Sequence, residues 1–458
     1  MEPRKKYIYE EAAVSKAVVT MIAPAILSQL ISLVYNMADT FFVGQLGDPN
    51  QVAAVSISAP IMLVLTALAN LFGIGGAGTL SRFLGKGDED GVRKAAAFGV
   101  YGALATAVIL SLLAAVFHTF VAVLLGSDEY TVAFTKSYTF WTFILGGVPT
   151  MMNLTLAHFI RADGAAKQAG FALSAGGVLN MLLDPVFIFD WGLNLGVTGA
   201  AIATFISNVA VLLYFVFSLV KNRATSAVTP IPRHFTFARD ISLGVIGTGM
   251  PGMLQTLLAS VSNTVLNQLA KPFGSAAISA FGIAKKLDQI PMSITIGMSQ
   301  GIVPLMGYSH SAGRPERTRR VLGFTVLLAM GFSVLCVVVY EIFAGPLVRL
   351  FLDEPGTVSY GVYFLRVMCV STPLMAAGFL MITLFQATGA SRPALILSVL
   401  RKGLVDIPLM LLMNLFIPLY GLSYVQPMTE FIAMAAAVVL YLRFARGGAA
   451  VPPNNTGR

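Results

Sequence analysis

Three observations predict an all-α integral membrane protein, with twelve transmembrane helices in two six-helix bundles. The first is composition. Hydrophobic residues make up 56% of the 458-residue chain and charged ones 11%, and the mean hydropathy is +0.79. A soluble chain of this size cannot keep so apolar a composition off its surface. The second is length. The apolar residues fall in twelve continuous segments, each about the 20 residues a helix needs to cross a bilayer or longer. Barrel strands are much shorter, so helix is the state that satisfies the backbone in lipid. The third is an internal repeat. Pro24, Asn36 and Gly47 recur as Pro251, Asn263 and Gly274 at an offset of 227. Gly75, Gly87, Arg93 and Lys94 recur as Gly301, Gly313, Arg319 and Arg320 at 226. Ala162-Asp163-Gly164-Ala165 recurs as Ala387-Thr388-Gly389-Ala390 at 225. A general likeness of apolar helices would not keep Pro, Asn and Gly in register. Six spans per half is an even number, so the halves are parallel repeats about an axis along the membrane normal, with substrate at or beside their interface. Residues 1–225 are expected to form the first bundle, 226–240 a linker, and 241–458 the second bundle.

The spans are taken in order. The first, 17–43, holds Pro24, whose missing N–H lets a helix bend, and a polar stripe of Ser28, Ser32, Tyr35 and Asp39 at helical spacing. The second, 52–81, ends in Gly73-Ile74-Gly75-Gly76-Ala77-Gly78, small residues that let helices pack closely. It is no phosphate loop, because Gly85-Lys86 is followed by Gly87 and not by Ser or Thr. ATP-driven transport is therefore not expected. The third and fourth spans are 95–125 and 137–158. The fifth, 168–189, carries Asn180 and Asp184 on one face, followed by Pro185, which frees the carbonyl of Met181. An amide oxygen, a carboxylate and a free carbonyl are hard ligands suited to Na⁺ or to a protonatable water cluster. The sixth, 197–220, adds Thr198 and Thr204.

The seventh span, 241–270, offers Gln255, Asn263 and Gln268 but no acid, and Leu266 stands where the first half has Asp39. The eighth, 276–307, pairs Lys285 with Asp288. The ninth is 321–347, and the tenth, 358–385, contains Arg366. The eleventh, 394–416, carries Arg401, a Lys402/Asp406 pair, and Ile407-Pro408 in place of Asp184-Pro185. The twelfth, 422–444, contains Glu430. Local pairing marks Lys285/Asp288 and Lys402/Asp406 as structural, while Arg401, Arg366 and Glu430 have no partner within their own segments.

The net charge of +9 reads as topology and not as nucleic-acid binding. With loops assigned alternately, 22 of the 30 basic residues fall on one side and 3 on the other. That bias places both termini in the cytoplasm. The basic N-terminus is followed by no short apolar stretch with a cleavage site, and reads as a mature cytoplasmic tail. Cys336 and Cys369 both lie in spans, which supports neither a disulfide framework nor a cysteine metal site. The histidines, His118, His158, His234 and His310, show no ligand spacing.

Function follows from the two acids without a basic residue in their own segments, Asp39 and Asp184. A membrane-embedded carboxylate costs several kcal/mol unless it is compensated. The natural compensators are a proton, a Na⁺ or a cationic substrate, which points to an ion-coupled transporter. Coupling is expected in the first half, and substrate access is expected to be shaped by the second. A membrane enzyme would need a clustered acid, base or metal constellation at a membrane face, and none is present.

At these residues the chain resembles the multidrug and toxic compound extrusion family, in its bacterial exporter branch. The resemblance rests on Pro24 with Tyr35-Asn36-Met37-Ala38-Asp39-Thr40-Phe41-Phe42-Val43-Gly44, and on Asn180-x-x-x-Asp184-Pro185. Gly199-Ala200-Ala201-Ile202-Ala203-Thr204, Gly297-Met298-Ser299-Gln300-Gly301 with Pro304, and Arg401 with Ile407-Pro408 extend it over nearly the whole chain. It implies two six-helix bundles around a V-shaped cleft, and export of amphipathic, often cationic, organic compounds in exchange for H⁺ or Na⁺. Asp39, Asn180, Asp184 and Thr204 would form the cation site, with Asp39, Asn180 and Asp184 as ligands if the ion is Na⁺. Tyr35, Asn36, Gln255, Asn263 and Arg401 would line the substrate cleft, and Pro24 and Pro185 would bend their helices. Some branches carry an acid on the seventh helix, and this chain does not. The expected setting is the cytoplasmic membrane. The expected partners are small organic molecules and the lipid bilayer, with no nucleic acid, no cofactor beyond the coupling ion, and a monomer as the working unit. A lipid-linked precursor flippase of the same superfamily is the alternative; it would want a cationic cleft, for which Lys285, Lys286 and Arg401 are the residues to follow.

Overall fold

Helices long enough to cross a bilayer follow one another from Val14 to Arg446, and no strand occurs among the described residues. A computed structural model describes residues 6–222, 226, 228, 231–352 and 354–446. The chain ends, on which the expected position of the termini depends, and part of the 226–240 linker lie outside that set. In the first half the spans are α1 (Val14–Gly44), α2 (Pro49–Lys86), α3 (Glu89–Val116), α4, α5 (Ala166–Ile188) and α6 (Gly196–Lys221). In the second they are α7 (Arg239–Ala270), α8 (Ser275–Ser311), α9 (Pro315–Arg349), α10, α11 and α12 (Tyr420–Arg446). α4 is composite, with Val132–Thr139, a π-turn Phe140–Leu145, and Gly147–Ala162. α10 is Pro355–Cys369 plus Thr372–Thr388, and α11 is Ser391–Val399, a π-turn Leu400–Leu404, and Asp406–Phe416.

Length and hydropathy alone single out eight of these helices as spans, or ten when each of two bent pairs counts once. The other two are α8, diluted by Lys285, Lys286 and Asp288 in one half and by Gln, Ser, Pro and Gly residues in the other, and α11, cut into short pieces by its π-turn. The two bent pairs are α4 and α10, kinked by 46° and 47°. The breaks fall at Gly146 and at Val370-Ser371, the same place in the two halves under the 225-residue offset. The repeat therefore extends to a shared irregularity and not only to shared residues.

Side-chain starts and stops are written locally. Pro49 opens α2 behind Asp48, which accepts from the Asn50 amide, and Asp88 caps α3 by accepting from the Gly91 amide. Within the first bundle the core is rich in alanine. The tip of Phe159 seats in a notch where a Cβ on Gly76 or Gly99 would come within 2.2 or 2.5 Å of it. The second bundle is held by the stacked Phe281 and Phe364 rings, 3.9 Å apart, and by Tyr340 donating to the Leu287 carbonyl.

Two seams join the bundles, and they are copies of one another. Along α2–α7, a Cβ on Gly249 would lie 1.8 Å from the Leu71 carbonyl oxygen and one on Gly75 2.1 Å from that of Val245. Along α1–α8, a Cβ on Gly297 would lie 2.6 Å from Ile26 Cα and one on Gly301 2.8 Å from the Met21 carbonyl oxygen. Only glycine permits such backbone contact. Asn70–Thr256 and Gln29–Gln300 hydrogen bonds add to the seams. All these residues lie in the half nearer the α2–α3 and α8–α9 turns, hereafter the basic face. Toward the opposite face the bundles diverge into the V.

Candidate functional site

α5 is the helix that builds the site, because three of its glycines let it pack tightly between α1 and α6. A Cβ on Gly170 would strike the Pro24 carbonyl oxygen at 2.6 Å, one on Gly176 would strike Val211 at 2.3 Å, and one on Gly177 would meet the Tyr35 ring at 3.0 Å. Asp184 and Asn180 are thereby sealed in, at 0% and 3% exposure. The Asn180 side-chain amide donates to Asp184 Oδ1 and to Thr204 Oγ1, both at 3.2 Å. These three sequence-predicted residues therefore come together, with Asn180 at the centre. Pro185 sits inside α5, where its missing N–H leaves the Met181 carbonyl without its helical partner.

Asp39 enters the cluster from α1. It lies within electrostatic reach of Asp184, with Tyr35 and Tyr138 beside both acids. Tyr138, buried on α4, is the site residue that sequence reasoning missed. Its only signal was a hydroxyl in an apolar span. No ion pair reaches Asp39 or Asp184 among the described residues. Three buried oxygens, Asp39 Oδ1, Asn180 Oδ1 and Asp184 Oδ2, accept no hydrogen bond from described residues. Two carboxylates and an amide oxygen form a hard donor set, which fits H⁺ or Na⁺ rather than a transition metal. No group of three or more His, Cys, Asp or Glu gathers among the described residues.

Other expected residues fall elsewhere. Thr198 bonds Ser137 at 2.7 Å, away from Asn180. Asn36 is exposed and donates back to the Ser32 carbonyl on its own helix. Gln255 is buried on α7, and Asn263 is exposed. The neighbour of Asn263, Ser262, turns inward and donates to Asp406 at 2.5 Å. Beyond Asp240 in its first turn α7 carries no acid, but it is met by one from α11.

The expectation of Arg401 in a substrate cleft is corrected. Its guanidinium is 1% exposed and closed onto Glu430, also 1% exposed, with Nε at 2.9 and 2.8 Å from the two carboxylate oxygens. The partner lies on the neighbouring helix, which is why the segment-by-segment search left both charges open. Arg366 likewise pairs with Glu341 on α9, at 3.5 Å. Lys402 and Asp406 stand 4.0 Å apart as the spacing required. Lys285 and Asp288 are linked through Gln426, which accepts from the lysine at 3.1 Å and donates to the acid at 3.0 Å. Arg401, Glu430, Lys402 and Asp406 of the second bundle thus meet opposite charges inside it, and Asp39 and Asp184 of the first do not.

Comparison with known proteins bears on the family and the fold. The MatE family model matches residues 24–186 and again 251–441, so each match starts at one of the two register prolines. The chain is similar to "Multidrug export protein MepA" of Staphylococcus saprophyticus subsp. saprophyticus, with 31% identity over 443 residues, covering 96% of this chain and 97% of the relative. MepA of Staphylococcus aureus (strain MRSA252) matches with the same identity and coverage. A solved structure described as the outward-facing conformation of a multidrug resistance MATE family transporter of the MOP superfamily superposes with a TM-score of 0.89 at 23% identity. It covers 98% of this chain and 99% of that one. At that identity the structural likeness speaks for the fold alone.

Proposed function

The chain belongs to the MatE family, and from that premise we propose that it is a secondary antiporter exporting amphipathic, often cationic, organic compounds in exchange for H⁺ or Na⁺. Relatives named as multidrug export proteins support the substrate class. The observation that carries the coupling is the Asp39–Asp184 pair, Asp184 buried and Asp39 partly exposed, with three unpartnered oxygens among Asp39, Asn180 and Asp184 and no basic neighbour. Two carboxylates so placed cannot both stay ionised without compensation. A proton or Na⁺ arriving down its gradient supplies it. With the basic face toward the cytoplasm, as the charge bias argues, the cleft of this conformer opens outward and the site is reached from the side where the driving ion is abundant. Binding must favour one conformer over the other for export to follow. The close approach of Pro24 on α1 to Gly170 on α5 gives the ion a helix to act on.

The flippase alternative is weakened at Arg401, which Glu430 closes off, while Lys286 is exposed and the cavity that Lys285 and Lys402 line also holds Asp406 and Gln426, so it is not purely cationic. The test is efflux from proteoliposomes under a pH gradient or a Na⁺ gradient, imposed one at a time. Asp39→Asn and Asp184→Asn should each abolish gradient-driven efflux in a folded protein. Wild-type rates from both variants under every gradient would move the coupling site elsewhere.

A further inference from the structure

The internal repeat predicts that each contact between the bundles has a twin, and near the basic face one twin is missing. On α2, Arg82 reaches across to the second bundle. Its guanidinium donates to the carbonyls of Gln386 and Ala387 at 3.1 and 3.4 Å and to the Thr248 hydroxyl at 3.1 Å, braced by Thr79 on its own helix. The cradle is cut to fit: a Cβ on Gly389 would stand 3.1 Å from Arg82 Nε, and the φ of Gly389 is +79°. Gln386 closes it by donating to the Thr248 carbonyl at 3.2 Å.

Under the offset of 226 the twin of Arg82 is Tyr308, and under 225 the twin of Ala387 is Ala162. A tyrosine is shorter than an arginine and carries no fork of donors. In its place the segment Tyr7–Glu11, a single π-turn ahead of α1, lies in the gap. Tyr9, 1% exposed, packs its ring 4.9 Å from that of Tyr308 and donates its hydroxyl to the Ala162 carbonyl at 2.9 Å. Glu10 accepts from the Tyr308 hydroxyl at 2.5 Å and stands 3.6 Å from the Arg314 guanidinium. Arg317 donates to the Ile8 carbonyl at 3.1 Å. The carbonyl that Arg82 caps directly in one bundle is thus capped in the other by a tyrosine from outside the repeat.

We propose that residues 7–11 are a detachable latch of the gate at the basic face: the Tyr9–Glu10 segment replaces the missing second arginine, and it must undock before the bundles part on that side. The proposal rests on the transporter reading, which requires a second conformer open at the basic face. Arg82 is the fixed latch, because its side chain is anchored in α2. The other is held by a short segment joined to α1 through Ala12 and Ala13; its release uncovers Tyr9 and Ala12 at the edge of the cluster they share with Met306 and Tyr308, and leaves the helices of both bundles in place. Tyr9, Glu10, Arg82 and Tyr308 are accordingly gate-positioning residues.

The test uses the full chain with Cys336→Ser and Cys369→Ser and spin labels at Lys167→Cys and Arg392→Cys. These exposed positions are equivalent under the repeat, one in each bundle, and lie at the basic face. Tyr9→Ala with Glu10→Gln should raise the long-distance population, and Arg82→Ala should do the same. A distance distribution unchanged by the Tyr9/Glu10 change, while Arg82→Ala shifts it, overturns the latch. This readout needs neither substrate nor gradient, so it is decided separately from antiport. A second measurement covers misfolding of the variant: a reducible link between Glu10→Cys and Arg314→Cys should stop efflux, and reduction should restore it. Full efflux with the link in place overturns the proposal.

Discussion

Removing the Glu430 carboxylate is the change that best separates a structural charge from a coupling one. Arg401 and Glu430 are each 1% exposed, and Nε and a terminal nitrogen of the guanidinium meet the carboxylate at 2.8–2.9 Å. The Phe379 ring lies 5.7 Å beneath the guanidinium carbon. Breaking a buried pair by deleting one partner costs about 3–5 kcal/mol, most of it the penalty of the charge left behind. Glu430→Ala should therefore lower the unfolding free energy in detergent by about that amount. Replacing both partners, Arg401→Met with Glu430→Leu, should recover most of the loss, because no lone charge remains. Efflux normalised to folded protein should keep its ion dependence in both variants. The reasoning is refuted if Glu430→Ala unfolds like the wild type but loses its response to the imposed gradient, since Glu430 would then be a titrating site and not a strut.

Five further outcomes are expected. Gly249→Ala drives a methyl to 1.8 Å from the Leu71 carbonyl oxygen; the seam must widen, at a cost of about 1–3 kcal/mol, and the Lys167/Arg392 label pair should move apart. Gly331→Ala, with nothing within 4 Å of its Cβ, should be silent in both measurements. Pro185→Ala supplies an N–H to the Met181 carbonyl, and should weaken ion-dependent efflux while expression and thermal stability hold; unchanged ion dependence would reduce Pro185 to packing. A cysteine at Thr236 should react with an impermeant maleimide only after the membrane is opened, and ready labelling of intact cells would invert the topology. Asp39→Asn, which keeps the shape but not the charge, should shift the label distances toward those of the ion-bound wild type; a distribution that still tracks pH or Na⁺ as before would remove Asp39 from the coupling path.

What was legible in the sequence was what repeats or lies within one helix. The twelve spans, the offset of 225–227, and the Asn180/Asp184 and Lys402/Asp406 faces all follow from spacing, and spacing is local. Contacts between helices were not legible. Arg401 and Glu430 are 29 residues apart, and Ser262 and Asp406 are 144 apart. No periodicity within a segment encodes either. Lys285 and Asp288 show the limit from the other side, because an amide from α12 takes the place of a direct pair. The basic N-terminus read as a tail for the same reason. Tyr9 and Glu10 acquire meaning only from Ala162 and Tyr308, 153 and 298 residues away.

The asymmetry of the two halves then has one physical reading. Two bundles built from one repeat would share any ion site, unless one copy were neutralised. Here the second copy carries Leu266 where the first has Asp39, and spends its remaining acids on Ser262, Gln426, Lys402 and Arg401. Those partners fix helices to one another, which makes the second bundle a stiff body. The first bundle keeps Asp39 and Asp184 free of fixed cations, which on the proposed reading makes its ground state depend on what the solution supplies. α1 carries both ends of that dependence. It is one helix from Val14 to Gly44, with Asp39 toward the open side and the Tyr7–Glu11 segment at its other end. At 1.5 Å per residue the 25 residues between Val14 and Asp39 span roughly 38 Å, most of the bilayer. An ion that repositions α1 at Asp39 thus acts on a rod whose far end holds a latch, and Pro24 lies between the two, against Gly170. Coupling between a site and a gate so far apart needs an element with two arrangements that both ends can bias, and α1 is the element that touches both.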